Sequence, residues 1–375
     1  MFYHVLLTTK CDLKCKYCYE KSLREMETDF GDSEIDYSVP SKISYDIEDL
    51  REFIEKDPEA SIIFYGGEPL LCIDEMEKIM DTIRVRHFII QTNGLHLDKL
   101  KPEYLNRLST IFVSIDGDQA LTDYYRGEGV YGRIIEKLRV IREKGFKGEV
   151  IARMTVMEET DIYKQVLWLL NNPDYPFSSV HWQIDAGFWR SDIPERLSKF
   201  ERWMDESYNP GIRKLVHFWV ERMEKSGKVL RIYPFLAVME SLLKREKSLL
   251  RCGSGWANYS IQTDGHIIPC PIMNGMKDFY LGHIRDAHPL KLKKVYVGEP
   301  CISCEIYHEC GGRCLYANLT KRWPDEAYKL VCETVKNMIE SLRQALPKVR
   351  NLISTGKICL KDFEHAKYNS CEVIP

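Results

Sequence analysis

The sequence predicts an α/β protein: an open, partial (β/α)6 barrel, then a helical linker, then a small cysteine-rich domain. Three observations carry this. Six short β-branched or aromatic runs alternate with amphipathic stretches in the first part of the chain. After residue 193 the character changes to long helices, through about residue 247. From residue 252 cysteine and glycine dominate. At 375 residues the chain can bury a large core and hold two domains. The expected boundaries are 1–192 for the barrel, 193–249 for the linker, 250–345 for the cysteine-rich domain and 346–375 for a tail.

Taken in order, the strands are read at FYHVLL (2–7), ASIIFY (60–65), RHFIIQ (86–91), TIFVSI (110–115), GEVIARMTV (148–156) and SVHWQI (179–184). Between them LCIDEMEKIMDTI (71–83) and RIIEKLRVIREKG (133–145) place apolar residues at helical spacing. Six such βα units imply parallel strands joined by crossover helices, and six rather than eight implies a barrel that does not close. Residues 27–43, acidic and rich in turn formers, interrupt the pattern, and a final helix is expected near 326–345.

Fifty-three Lys and Arg against 56 Asp and Glu leave a net charge of −3, which gives no electrostatic case for nucleic acid or an anionic membrane. The apolar runs are too short to span a bilayer. Residues 1–7 are apolar but lack a basic flank, so they read as a first strand instead of a signal peptide. Thirteen cysteines without an export signal point to metal ligation in a reducing, cytoplasmic compartment.

In a parallel βα sheet chemistry sits at the carboxyl ends of the strands. There the chain places TTKCDLKCKYCYE (8–20) after strand one, GGEP (66–69) after strand two, TNG (92–94) after strand three and SIDG (114–117) at the end of strand four. Arg153 lies late in strand five. The first of these holds Cys11, Cys15 and Cys18 as CxxxCxxC. Three thiolates can hold a 4Fe–4S cube and leave one iron open for a small molecule, which makes a metal site reactive instead of structural. The competing reading is an i, i+4, i+7 stripe of buried thiols on a helix.

CxxxCxxC after a first strand resembles the signature of the radical S-adenosylmethionine (SAM) superfamily. The resemblance implies that the SAM amino and carboxylate groups chelate the open iron. It also implies that an electron from the cluster cleaves SAM to a 5′-deoxyadenosyl radical, which abstracts hydrogen from substrate. Roles carry over position by position. Tyr17 matches the aromatic beside the adenine. Gly66, Gly67, Glu68 and Pro69 match the motif that meets the methionine amino group. Thr92 and Ser114 match hydroxyls that contact SAM, and Asp116 is placed for the ribose. Arg153 is matched to the SAM carboxylate. Taken singly, GGE and IDG are turn formers and Arg153 a surface cation.

The second half carries a separate pattern. It runs Cys252-x12-Gly265-x4-Cys270, then Cys301-x2-Cys304-x5-Cys310-x3-Cys314, then Cys332. CxxC also marks structural zinc, but seven cysteines waste three at one four-coordinate site and fall one short of two. The spacing resembles the SPASM extension of peptide- and protein-modifying radical SAM enzymes. That resemblance implies two auxiliary 4Fe–4S clusters, three clusters in all. Cys252, Cys270 and Cys314 would hold the first auxiliary cluster, and Cys301, Cys304, Cys310 and Cys332 the second. The first is one ligand short: either its open iron binds a substrate group, or Cys359 or Cys371 from the tail closes it. Cys72 reads as a packed core thiol.

The family's substrates imply a peptide or protein side chain here, to be crosslinked, epimerised, oxidised or joined through a thioether. A ferredoxin- or flavodoxin-like electron donor is the expected partner. Because strand one starts at residue 2, a leader peptide, if there is one, is expected to be bound by a separate protein or by another surface of this chain, such as the 27–43 insertion. Asp185 and Gln183 close strand six on the expected substrate side. Asp185 is the candidate general base, against its reading as a cap or turn former. Two alternatives stand beside this: formylglycine generation as in sulfatase maturation, and a non-catalytic iron–sulfur electron carrier.

Overall fold

The structure is a computed structural model that describes residues 1–18, 34–185, 193–321 and 323–371. Residues 27–33 of the acidic insertion and 186–189 beyond strand six lie outside the described residues. In chain order the elements are β1 (Phe2–Thr8), α1 (Ile47–Ile54), β2 (Ser61–Gly66), α2 (Ile73–Thr82), β3 (His87–Thr92), α3 (Pro102–Leu105) and β4 (Leu108–Ser114). There follow α4 (Gln119–Arg126), α5 (Val130–Glu143), β5 (Glu149–Val156), α6 (Ile162–Leu170) and β6 (Ser179–Ile184). The remainder comprises α7 (Ile193–Trp203), α8 (Asn209–Ser226), β7 (Arg231–Ile232), α9 (Tyr233–Lys244), β8 (Asn258–Ile261), β9 (Ile267–Ile268), α10 (Tyr307–Cys310), α11 (Leu315–Thr320) and α12 (Asp325–Ser354). The strands form one unclosed sheet in the order β7-β6-β5-β4-β3-β2-β1-β8-β9.

The chain divides into two compact units. The first contains Met1–Ile115, Thr122–Ile151 and Gly253–Tyr296; the second contains Asp116–Leu121, Ala152–Cys252 and Val297–Pro375. β5 begins in the first and ends in the second.

In the first unit β1 lies between β2 and β8 and is parallel to both. Its Tyr3, Val5 and Leu7 are wholly buried, and so are Ile62, Ile63 and Phe64 of β2. Parallel strands covered on both faces need such continuous apolar runs. His4 and Asn258 are buried too, and satisfy each other across β1 and β8 at 2.8 Å. Helix α1 starts where the Asp46 carboxylate accepts from the Glu48 amide, and its apolar stripe of Ile47, Leu50, Phe53 and Ile54 faces inward.

In the second unit aromatic side chains join sheet to helices. The Trp182 ring of β6 meets Phe235 of α9 edge-on at 5.5 Å, and its Nε1 donates to the Tyr208 hydroxyl at 2.9 Å. Trp219 of α8 packs on Phe235 at 5.5 Å and donates to the Leu230 carbonyl at 2.8 Å. Helix α12 packs along α8 and α9.

All six predicted strands are present, shifted by at most two residues at an end. Three further strands were not foreseen. β7 and β9 have two residues each and β8 has four, too few to show a period-2 pattern; the sheet itself stabilises them. The last helix continues nine residues past the expected stop at 345, through Pro347. Proline removes one donor there. Burial of Val349 and Leu352 carries the helix on. Among the described residues no helix is long and apolar enough to cross a membrane. Trp219→Ala removes a wholly buried ring and its hydrogen bond. It should cost about 3–5 kcal/mol in chemical denaturation.

Candidate functional site

The loop after β1 is held by the loop after β2 at close range. Gly67 and Glu68 donate their amides to the carbonyls of Thr8 (2.8 Å) and Lys10 (2.9 Å), immediately before Cys11. A Cβ on Gly67 would land on the Lys10 carbonyl, and one on Gly66, whose φ is +142°, on that of Thr8. The paired glycines therefore let two backbones touch where the cysteine loop begins. Pro69 follows as the first residue of a short 3-10 turn, Pro69–Cys72.

Glu68 is wholly buried, and its carboxylate accepts three hydrogen bonds that join its own turn to the end of β3. Oε1 accepts from the Thr92 hydroxyl at 2.7 Å and the Leu70 amide at 3.0 Å, while Oε2 accepts from the Asn93 amide at 2.7 Å. Asn93 then donates to Asp12 at 2.8 Å, and the other Asp12 oxygen meets His96 Nε2 at 2.8 Å. The chain of contacts runs from β2 through the end of β3 into the cysteine loop. Burial pushes the Glu68 carboxyl up to about 7, against the three hydrogen bonds that favour its charge. Sequence reasoning named Glu68 and Thr92 and passed over Asn93, Asp12 and His96. Two of these lay inside motifs already quoted, TNG and the cysteine array itself.

Cys18 and Cys15 are bridged by a backbone bond, Cys18 N to Cys15 O at 3.1 Å, which coils the array back on itself. Cys11 is exposed, and Cys15 and Cys18 are half-buried. Between the last two, Tyr17 lies 5.4 Å from the Tyr125 ring, with the Arg126 guanidinium 5.4 Å over its face. These rings and the planar cation form a shelf on which a flat heterocycle can stack. Ser114 ends β4, half-buried.

In the second unit Asp116 is buried and accepts from the Thr155 amide at 3.0 Å. Arg153 donates to Gln183 Oε1 of β6 and to the Ser370 carbonyl of the tail, each at 3.0 Å. His181 is wholly buried beside it, and neither ring nitrogen has a hydrogen-bond partner. Burial, and then Arg153, push that imidazole well below its usual range, so it is neutral. Asp185 is ion-paired: Oδ2 accepts from Arg196 at 2.8 Å, and Arg196 also holds Glu158 at 3.1 Å. To act as a base Asp185 would have to release Arg196.

The CxxC segment is a run of tight turns, with Cys304 N on Cys301 O at 3.0 Å and Cys310 N on Ile306 O at 2.9 Å. Cys332 enters from the second turn of α12 and lies in the electrostatic range of Cys310, Cys301 and Cys304. Burial pushes the Cys332 thiol up to about 12, and Arg313 opposes this. Burial pushes Cys310 to about 11, opposed by the Gly312 amide, Arg251 and Arg313. Thiols this weakly acidic become thiolates when a metal displaces their protons. Four sulfurs with cations behind them suit a soft-metal or iron–sulfur site. Among the described residues no three His, Cys, Asp or Glu side chains converge tightly enough for a single ion; the thiolates of a four-iron cube stand farther apart. Cys252 and Cys314 belong to the second unit and Cys270 to the first, so their grouping rests on spacing alone. Cys359 is exposed, whereas Cys371 and Cys72 are buried.

Residues 5–167 match the family model described as the radical SAM superfamily, and these residues form a radical SAM domain. The domain implies SAM and a 4Fe–4S cluster. The chain is 21% identical over 379 residues to a cysteine-type anaerobic sulfatase-maturating enzyme of Clostridium perfringens (strain 13 / Type A), covering 92% of this chain and 96% of that protein. It is 23% identical to a radical SAM cyclopropyl synthase of Paramaledivibacter caminithermalis, over 90% of this chain and 73% of that one. Among solved structures, native anSMEcpe with bound AdoMet and the Cp18Cys peptide superposes with a TM-score of 0.67 at 17% identity, covering 94% of this chain and 99% of that chain. Beyond that domain, the chain is similar over most of its length to an anaerobic sulfatase maturase and to a radical SAM cyclopropyl synthase.

Two substitutions test this architecture. Gly67→Ala must displace the Lys10 carbonyl and with it the cysteine loop, so iron content after anaerobic reconstitution should fall by at least half. Glu68→Gln turns an amide donor toward the Asn93 amide and should cost about 1–3 kcal/mol. It should also change the pH profile. The native carboxyl titrates near 7 and the unfolded one near 4.5, so the folded form binds more protons between these values. This group's contribution is therefore full below about 4.5 and is lost as pH rises toward 7. The variant's stability should lack that decline when melts are run from pH 4.5 to 7.5.

Proposed function

We propose that this enzyme reductively cleaves SAM and abstracts hydrogen from a peptide or protein side chain, leaving a post-translational modification. The observation that carries it is whole-chain likeness: the alignment to the maturase spans 92% of this chain and 96% of the relative, beyond the radical SAM domain alone. The superposed structure is one solved with both AdoMet and a peptide. When bound, the cluster and SAM supply a 5′-deoxyadenosyl radical. Cys11, Cys15 and Cys18 are assigned to that cluster, and Cys252, Cys270, Cys301, Cys304, Cys310, Cys314 and Cys332 to two auxiliary ones.

The chain's own residues do the positioning. Glu68, Asn93 and Asp12 hold the cysteine loop against the ends of β2 and β3. Tyr17 with Arg126 offers a stacking face for adenine. Thr92, Ser114 and Asp116 are assigned to SAM, though the Thr92 hydroxyl and one Asp116 oxygen already hold protein groups. Arg153, in β5 and tethered by Gln183 of β6 and Ser370, is the cation assigned to a carboxylate. A ferredoxin- or flavodoxin-like protein is the proposed electron donor. Formylglycine generation is the second reading, favoured by the maturase likeness.

The test is 5′-deoxyadenosine formation by the reconstituted, dithionite-reduced protein given SAM, with and without a cysteine-containing peptide. Wild type should release 5′-deoxyadenosine, more with peptide, and Cys15→Ala should release none. A fully iron-loaded wild type that makes none under either condition would sink the reading in favour of an electron carrier.

A further inference from the structure

We propose that the Tyr328 hydroxyl, oriented by Asn318, is a dedicated hydrogen-bond donor to the Cys301 sulfur that raises the reduction potential of the cluster held by Cys301, Cys304, Cys310 and Cys332. This rests on the reading that these four thiols share one cube.

Tyr328 sits in the first turn of α12 with 8% of its surface exposed, and its hydroxyl is 2.9 Å from Cys301 Sγ. Between a thiol and a hydroxyl either group can donate. Once the sulfur is bound to iron it has no proton, and the hydroxyl must donate. Asn318 of α11, 1% exposed, fixes that direction. Its Oδ1 accepts from the Gly298 amide at 2.7 Å, which turns its Nδ2 toward the carbonyls of Gly298 (3.3 Å) and Glu299 (3.1 Å). The same Nδ2 is 3.4 Å from the Tyr328 oxygen and 3.9 Å from Cys301 Sγ. An amide that donates to the phenol oxygen leaves the phenol hydrogen free to point at sulfur, and each bond in such a chain polarises the next.

The geometry matters for redox because the extra electron of a reduced cluster spreads onto its sulfurs. Donors to those sulfurs and buried cations behind them stabilise the reduced state more than the oxidised one. Arg313, 4% exposed and stacked 5.6 Å over the Trp323 ring, adds to this field, and Arg251 lies in electrostatic range of Cys310. Tyr328 could instead serve only to pin the 298–301 loop. A packing role would show in cluster content; a donor role shows in the potential.

The experiment uses the full chain with Cys11, Cys15 and Cys18 replaced by alanine, so that its EPR signals come from the auxiliary clusters. Tyr328→Phe keeps the ring and deletes the hydroxyl. At unchanged iron and sulfide content, one midpoint should fall by about a tenfold change in the reduction equilibrium, which is about 59 mV for one electron. In deuterated buffer, the reduced protein bearing Tyr328 should show an exchangeable deuteron coupled to that signal, and Tyr328→Phe should lack it. Unchanged midpoints at full iron content, or no such deuteron while Tyr328 is present, would overturn the proposal. A triple-alanine protein that binds no iron would instead overturn the four-thiol reading, and the proposal with it.

Discussion

A carboxylate with no exposed surface sits where three strand-end segments meet, and the cysteine loop depends on it. Burial pushes Glu68 toward neutrality, while Thr92, Leu70 and Asn93 each spend a donor on its charged form. Neither tendency prevails by a wide margin, so the group is costly to bury and costly to remove. Such a site earns its cost through geometry. With both carboxylate oxygens committed, the end of β3 cannot drift from the end of β2. Asn93 cannot then leave Asp12, one residue past Cys11.

This bears on how the glycine–glycine–glutamate motif is read. Each of its parts has work to do inside the protein before a ligand arrives. Gly66 and Gly67 accommodate the backbone of residues 8–10, and Glu68 ties down β3. A reading in which all three serve SAM directly gives too little weight to this preorganisation. A loop carrying three thiols is a poor cage unless something else fixes it.

The six barrel strands were legible because each parallel strand must be apolar on both faces, and such runs stand out in β1, β2 and β4. The short strands β7, β8 and β9 were hidden: two to four residues carry no period, and their order comes from neighbours distant in the chain. The site divides the same way. Residue types and their order along the strand ends could be read directly. Partners could not: nothing near Arg153 in sequence announces Ser370, and nothing near Asp185 announces Arg196 as its counter-ion rather than its competitor. The cysteines of the second half were legible as spacing, whereas the phenol and amide beside Cys301 became visible only in three dimensions.

The register of β1 has a bearing on biosynthesis. Phe2 to Val5 pair on one side with Ser61 to Phe64 and on the other with Asn258 to Ile261. When the first hundred residues have left the ribosome, β1 has gained β2 but still presents a bare edge, and the thiol loop already hangs from its end. That edge is covered only when β8 emerges, after β6, β7 and helices α7 to α9. Unpaired edges invite wrong partners, and non-local pairing is slow. The loop that carries Cys11, Cys15 and Cys18 therefore gains its final support late, because the strand it hangs from stays open on one side until residues 258–261 are made.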